Sequence, residues 1–136
     1  MTQPAVNNMT KRSDQNLLIH QQNVNKSLMA QKDFLHQLDP DTYNFVAIQE
    51  LYLDSNHNSC ATRHWYTIYP KEHYIMPSWT RLILLVNRQI ATDAWHQVDI
   101  GSPDVTAILI YTGKGKVLLV NMYNDSSQHQ GLEWSI

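Results

Sequence analysis

Only one cysteine, Cys60, occurs in the chain. No disulfide can close within the molecule, which points to a reducing compartment. Charge of one sign is not in excess: 10 Lys and Arg stand against 12 Asp and Glu, a net charge of -2. That balance argues against a polyanion binder working through bulk charge. It still allows a nuclease, because a site for divalent cations needs carboxylates of its own. No apolar run approaches membrane-spanning length. The opening MTQPAVNNMTKRSDQ has neither the apolar core of a signal peptide nor the Arg-rich amphipathic helix of a transit peptide. The expectation is a nuclear or cytoplasmic protein, not a secreted one, with no membrane partner. The Asn-x-Ser/Thr triplets at Asn8, Asn25 and Asn124 carry little weight without a secretory signal. Internal repeats and low-complexity segments are also missing. So is Gly-x-Ser-x-Gly, the mark of a serine hydrolase. Gly113-Lys114-Gly115 lacks the third glycine of a dinucleotide loop and leads into a strand, so it reads as a hairpin turn.

What is present suits one domain. The 136 residues are 43% hydrophobic, enough for a core. Residues 1–15 are polar and read as a flexible tail, with the folded part over 16–136. LLIHQQNV begins with a short strand. Asn25 and Ser27 are helix-capping types, and Leu28, Gln31, Leu35 and Leu38 recur at helical spacing, with Met29 widening the face and Gln31 interrupting it. Asp39-Pro40-Asp41 stops that helix. NFVAIQ reads as the next strand, so the opening is strand, helix, strand, compatible with a parallel pair. Five further strands follow: WYTIYP, RLILLVN, AWHQVDI, VTAILIY and KVLLVNMY. The last two form a hairpin, and 130–136 reads as the start of a helix. The class is α+β. ILLV and VLLV are unbroken apolar runs that expect cover on both faces, more than one helix can give.

Three polar clusters sit at strand ends, where a sheet fixes the position of a loop. Asn23 and Asn25 follow the first strand, Gln49 and Glu50 end the second, and Tyr123, Asn124 and Asp125 end the last. Each has an ordinary reading as a cap, a solvated residue or a turn. Glu50 is the least ordinary, because a carboxylate at the end of an apolar strand must reach water, a partner or a cation. QNVNKS, then VAIQE after a strand–helix–strand step, then a late VNMYND resemble the endonuclease/exonuclease/phosphatase superfamily, the deoxyribonuclease-I-like fold. The intervening HWYTIYPKEHY, TRLILLVN and TDAWHQVDIGSPDVTAI are similar, in order, to the endonuclease domain of fungal LINE-type retrotransposons. The likeness runs from about Asn16 to the carboxyl end.

The resemblance implies a partial four-layer α/β/β/α sandwich and a metal-dependent DNA endonuclease. Glu50 matches the glutamate that ligates Mg²⁺ or Mn²⁺, held weakly if at all in this stretch alone. Asn23 matches an asparagine that orients the metal site, and Tyr123 a tyrosine that contacts the scissile phosphate. Asn124, Asp125 and Asn25 fall among the phosphate-contacting positions. The family also has an Asp-x-Asn motif after a later strand and a Ser-Asp-His motif near its end, and neither follows Tyr123. The expectation is therefore an amino-terminal fragment, inactive alone, with DNA as the ancestral substrate. A rival expectation is a non-catalytic transposon remnant or partner-binding fragment that self-associates through an uncovered sheet face. A third is a phosphatase or phospholipase of the same superfamily. The His57, Cys60, His64 and His73 grouping has zinc-ligand types, but its spacing matches no common zinc site and reads as surface histidines. Trp79 beside Arg81 is the best candidate for an exposed nucleic-acid contact, and the other tryptophans read as core or rim packing.

Overall fold

The computed structural model describes residues 17–59 and 63–123 in full and 131–135 by their backbone. The expected tail, Cys60, Asn124 and Asp125 lie outside the described residues. β1 (Ile19–Asn23) leads through a tight turn into α1 (Leu28–Gln37). The Ser27 hydroxyl caps this helix by accepting the Ala30 N–H at 3.1 Å, satisfying one of the donors a helix start leaves unpaired. Leu38 is already extended, two residues before Pro40. β2 (Phe45–Gln49) then returns parallel to β1, with Asn23 opposite Gln49. α1 is the crossover that a parallel pair requires.

β3 (Trp65–Ile68) and β4 (Leu82–Asn87) complete the first sheet, in the order β1-β2-β4-β3. β5 (Trp95–Val98), β6 (Val105–Thr112), β7 (Gly115–Met122) and β8 (Gly131–Ser135) form a second, antiparallel sheet in chain order. Gly115, at φ 140°, closes the β6–β7 hairpin in a conformation L side chains rarely adopt.

Strand alternation sorts the side chains into layers. Phe45, Ala47, Leu84 and Val86 meet Ile108, Ile110 and Leu119 of the second sheet. Val46, Ile48, Ile83 and Leu85 point the other way, onto Leu35 of α1 and Leu38 just beyond it. The run Ile83–Val86 is unbroken because β4 is covered on both faces. The described residues thus form three layers, helix, sheet and sheet, within the α+β class. No helix among them is long and apolar enough to cross a membrane.

Three local expectations are corrected. The helix presents Leu28 and Met29 to water, while Gln31, expected to interrupt the apolar face, is buried. Its amide is satisfied in place: Nε2 donates to the Tyr52 and Ser59 carbonyls, and Oε1 accepts the Tyr52 N–H at 2.7 Å. The segment read as a helix start is instead β8, because the edge of β7 offers it a hydrogen-bonded ladder, with Leu119 opposite Trp134. His73, read as a surface histidine, is buried under the turn that follows β3.

Candidate functional site at the carboxyl end of β2

Parallel pairing brings the ends of β1 and β2 together, and the chain beyond each strand stays tied to the other. Val24 donates to the Gln49 carbonyl at 3.0 Å, and Lys26 to the Glu50 carbonyl at 2.6 Å. The connection forces a cluster of left-handed residues: Asn25 at φ 54°, Lys26 at 58° and Glu50 at 52°. Asparagine tolerates this region, whereas lysine and glutamate adopt it at a cost of about 1–2 kcal/mol. Backbone strain of this kind concentrates at functional sites.

Gln49 continues the inward row of Phe45 and Ala47 and is wholly buried. Its Nε2 donates to Asn121 Oδ1 at 3.1 Å and to the Met122 carbonyl at 2.6 Å, while its Oε1 accepts from Gln21 Nε2 at 3.0 Å. Asn121 Nδ2 in turn donates to the Ile83 carbonyl at 2.9 Å. This amide network crosses from one sheet to the other and fixes the end of β7 against the end of β2. Tyr123, the next residue after β7, donates its N–H to the Asp104 carbonyl at 2.9 Å. Arg81 joins the same end. Its carbonyl accepts the Leu51 N–H at 3.3 Å, and its guanidinium lies 5.4 Å from the centre of the Tyr123 ring. Its Nε is 3.9 Å from Asp104 Oδ1.

Asn23, Asn25, Glu50 and Tyr123 therefore share one end of the sandwich, and Asn124 and Asp125 lie outside the described residues. Asn23 has a structural task here, since its Oδ1 accepts the Asn25 N–H at 2.9 Å. The Glu50 side chain is half-buried and makes no hydrogen bond or ion pair among the described residues. No group of three or more His, Cys, Asp or Glu gathers as a metal cage among those residues. One carboxylate, with an amide neighbour, suits only a hard cation that keeps most of its waters and is completed by substrate oxygens.

Away from this end, His73 stacks on Tyr69 at 4.0 Å, nearly parallel, with Nδ1 2.6 Å from Thr80 Oγ1. Burial, and then the charge of neighbouring His57, lower its pKa. Sequence reasoning assigned no role to Asn121 or Asp104, and it read Arg81 as an exposed nucleic-acid contact without placing it at this end. Asn121 did leave a signal: it is a polar residue two positions after Leu119, on the inward row of an apolar strand. No family model, curated protein or solved structure matches the chain.

Proposed function

We propose that the chain is the amino-terminal part of a deoxyribonuclease-I-like domain of the LINE endonuclease type, acting on DNA phosphodiesters with a divalent metal. One observation carries this reading: Glu50 has a left-handed backbone and no partner for its carboxylate among the described residues, at the same end as Asn23 and Tyr123. The order of the QN, QE and VNMYN motifs and the helix–sheet–sheet layering support it.

In this reading Glu50 holds Mg²⁺ or Mn²⁺. The metal, when bound, supplies Lewis-acid stabilisation of charge on the phosphate. Asn23 orients the site through its amide, and the Tyr123 hydroxyl donates to a phosphate oxygen. Asn25, Asn124 and Asp125 are further phosphate contacts. No Asp-x-Asn or Ser-Asp-His follows Tyr123 in these residues to activate water. Loss of a positioned general base typically lowers the rate by about 10²–10⁴.

The 136-residue chain, incubated with supercoiled plasmid and Mg²⁺, should therefore nick no faster than background. Nicking that disappears in Glu50→Ala would overturn the expected inactivity. Metal binding is the positive test: weak Mn²⁺ binding, seen by electron paramagnetic resonance, should be lost in Glu50→Gln. Equal binding by both chains would sink the metal-site reading.

A second reading, a partner-binding fragment, is favoured by the outward row of the second sheet. Leu109 pairs with Leu118 and Ala107 with Val120, and among the described residues the half-buried, outward Leu109, Leu118 and Val120 belong to neither core. Self-association through this face would appear as a concentration-dependent elution volume that Leu118→Lys abolishes.

A further inference from the structure

The segment from Pro70 to Arg81 leaves and re-enters the first sheet at the end that carries Glu50. β4 begins with Leu82 opposite Gln49, and β3 ends with Ile68 opposite Leu84. Two short 3-10 turns, Lys71–Tyr74 and Pro77–Trp79, shape the segment. Its inner side is anchored by buried His73 and Thr80. Its outer side turns large apolar groups to water: Tyr74 is 74% exposed, Ile75 77% and Trp79 56%. Large apolar groups gathered beside a site mark a contact surface rather than misplaced core. Arg81 follows Trp79 by two residues, a span of at most about 7 Å along the chain. That is of the order of one nucleotide. Asp104 and the Tyr123 ring flank its guanidinium.

We propose that Trp79 and Arg81 form a nucleotide clamp at the rim of the Glu50 site. Arg81 takes a backbone phosphate, and the Trp79 indole stacks on the base of the same nucleotide. The occupant is a nucleic-acid strand with an unpaired base, because an indole can cover a base face only when that base is out of the duplex stack. An anionic bilayer is disfavoured. Lys71 is offset by Glu72, and the adjoining loop carries Asp99 and Asp104, so the rim lacks the basic cluster such a surface attracts. One guanidinium suffices for one phosphate. The clamp rests on the reading of this end as a phosphodiester site.

The test uses the whole chain in EDTA and fluorescently labelled short DNA: single-stranded, fully paired, and paired with one extra unpaired base. Anisotropy should show tighter binding to the single strand and to the bulged duplex than to the paired one. Trp79→Ala should weaken that binding by about 5- to 100-fold without altering its salt dependence. Arg81→Gln should flatten the slope of log affinity against log salt by about 0.7, and Arg81→Lys should restore it. A purely structural role for either residue would not separate affinity from salt slope in this way. Equal binding of all three DNAs, unchanged affinity in Trp79→Ala, or an unchanged slope in Arg81→Gln would each overturn the clamp. So would binding to phosphatidylserine vesicles that Trp79→Ala abolishes while DNA binding stays intact. Mn²⁺ binding at Glu50 reports separately on the underlying site. Its absence beside intact clamp behaviour would sink the metal reading alone, and the converse would sink the clamp alone.

Discussion

Glu50 and Gln49 are neighbours with opposite energetic characters. Glu50 holds a backbone conformation unfavourable to it, and its carboxylate makes no polar contact among the described residues that would compensate. Glu50→Asn should therefore leave stability unchanged or raise it by up to about 1 kcal/mol in urea unfolding, since asparagine tolerates the left-handed region. A loss of more than that would mean the carboxylate is structural. Gln49 is the reverse case, a buried amide whose nitrogen donates twice and whose oxygen accepts. Gln49→Leu strands the Asn121 side chain, the Met122 carbonyl and the Gln21 amide, and should cost about 2–3 kcal/mol. The double variant with Asn121→Leu should cost less than the sum of the two, because the second change removes a group the first left unsatisfied. Additive costs would show that the two amides act independently.

Among the elements, the 70–81 segment has its stability coupled to pH. His73 is held below its ordinary value of 6.5, first by burial and then by His57. The folded state then binds fewer protons than the unfolded chain in the window just below that value. Stability contributed by neutral His73 is present above about pH 6.5 and is lost as pH falls toward the lowered folded value. Urea midpoints at about pH 7.5 and about pH 5.5 should differ less in His73→Phe, which keeps a ring on Tyr69 but cannot titrate. An equal difference in both proteins would show that His73 does not carry the pH dependence. The elements that sequence disclosed were those set by local signals. Ser27 as a cap, Asp39-Pro40 as a stop and Gly113-Lys114-Gly115 as a hairpin each rest on a few adjacent residues. The faces of α1 were misread because Gln31 is buried by partners more than twenty residues away. β8 was missed because only the edge of β7 makes that segment a strand.

At the scale of the molecule, the two sheets share a core in which Leu119 is wholly buried between Ile108 and the inward row of the first sheet. Leu119→Ala should cost about 2–5 kcal/mol in urea unfolding, through lost burial and the cavity left behind. A cost under 1 kcal/mol would mean the sheets are loosely joined. Sequence indicated that Glu50, Asn23 and Tyr123 follow strands, but not that the strands end on one side. That depends on the pairing of β2 with β4 and on the amides between the sheets, which no local pattern encodes. Sequence singled out Arg81 beside Trp79, but only its contacts with Asp104 and Tyr123 place it at the Glu50 end.

The strand orders also imply a sequence of events in time. In β5-β6-β7-β8 every strand pairs with its neighbour in the chain, whereas β2 must wait for β4 across an intervening strand and two turns. Short loops close sooner than long ones, so the meander can assemble while the first sheet is still searching. Pulse-labelled hydrogen exchange during refolding should find β6 and β7 amides protected before those of β2. The end bearing Glu50 would then be completed last, at the moment the Gln49 amide docks against Asn121.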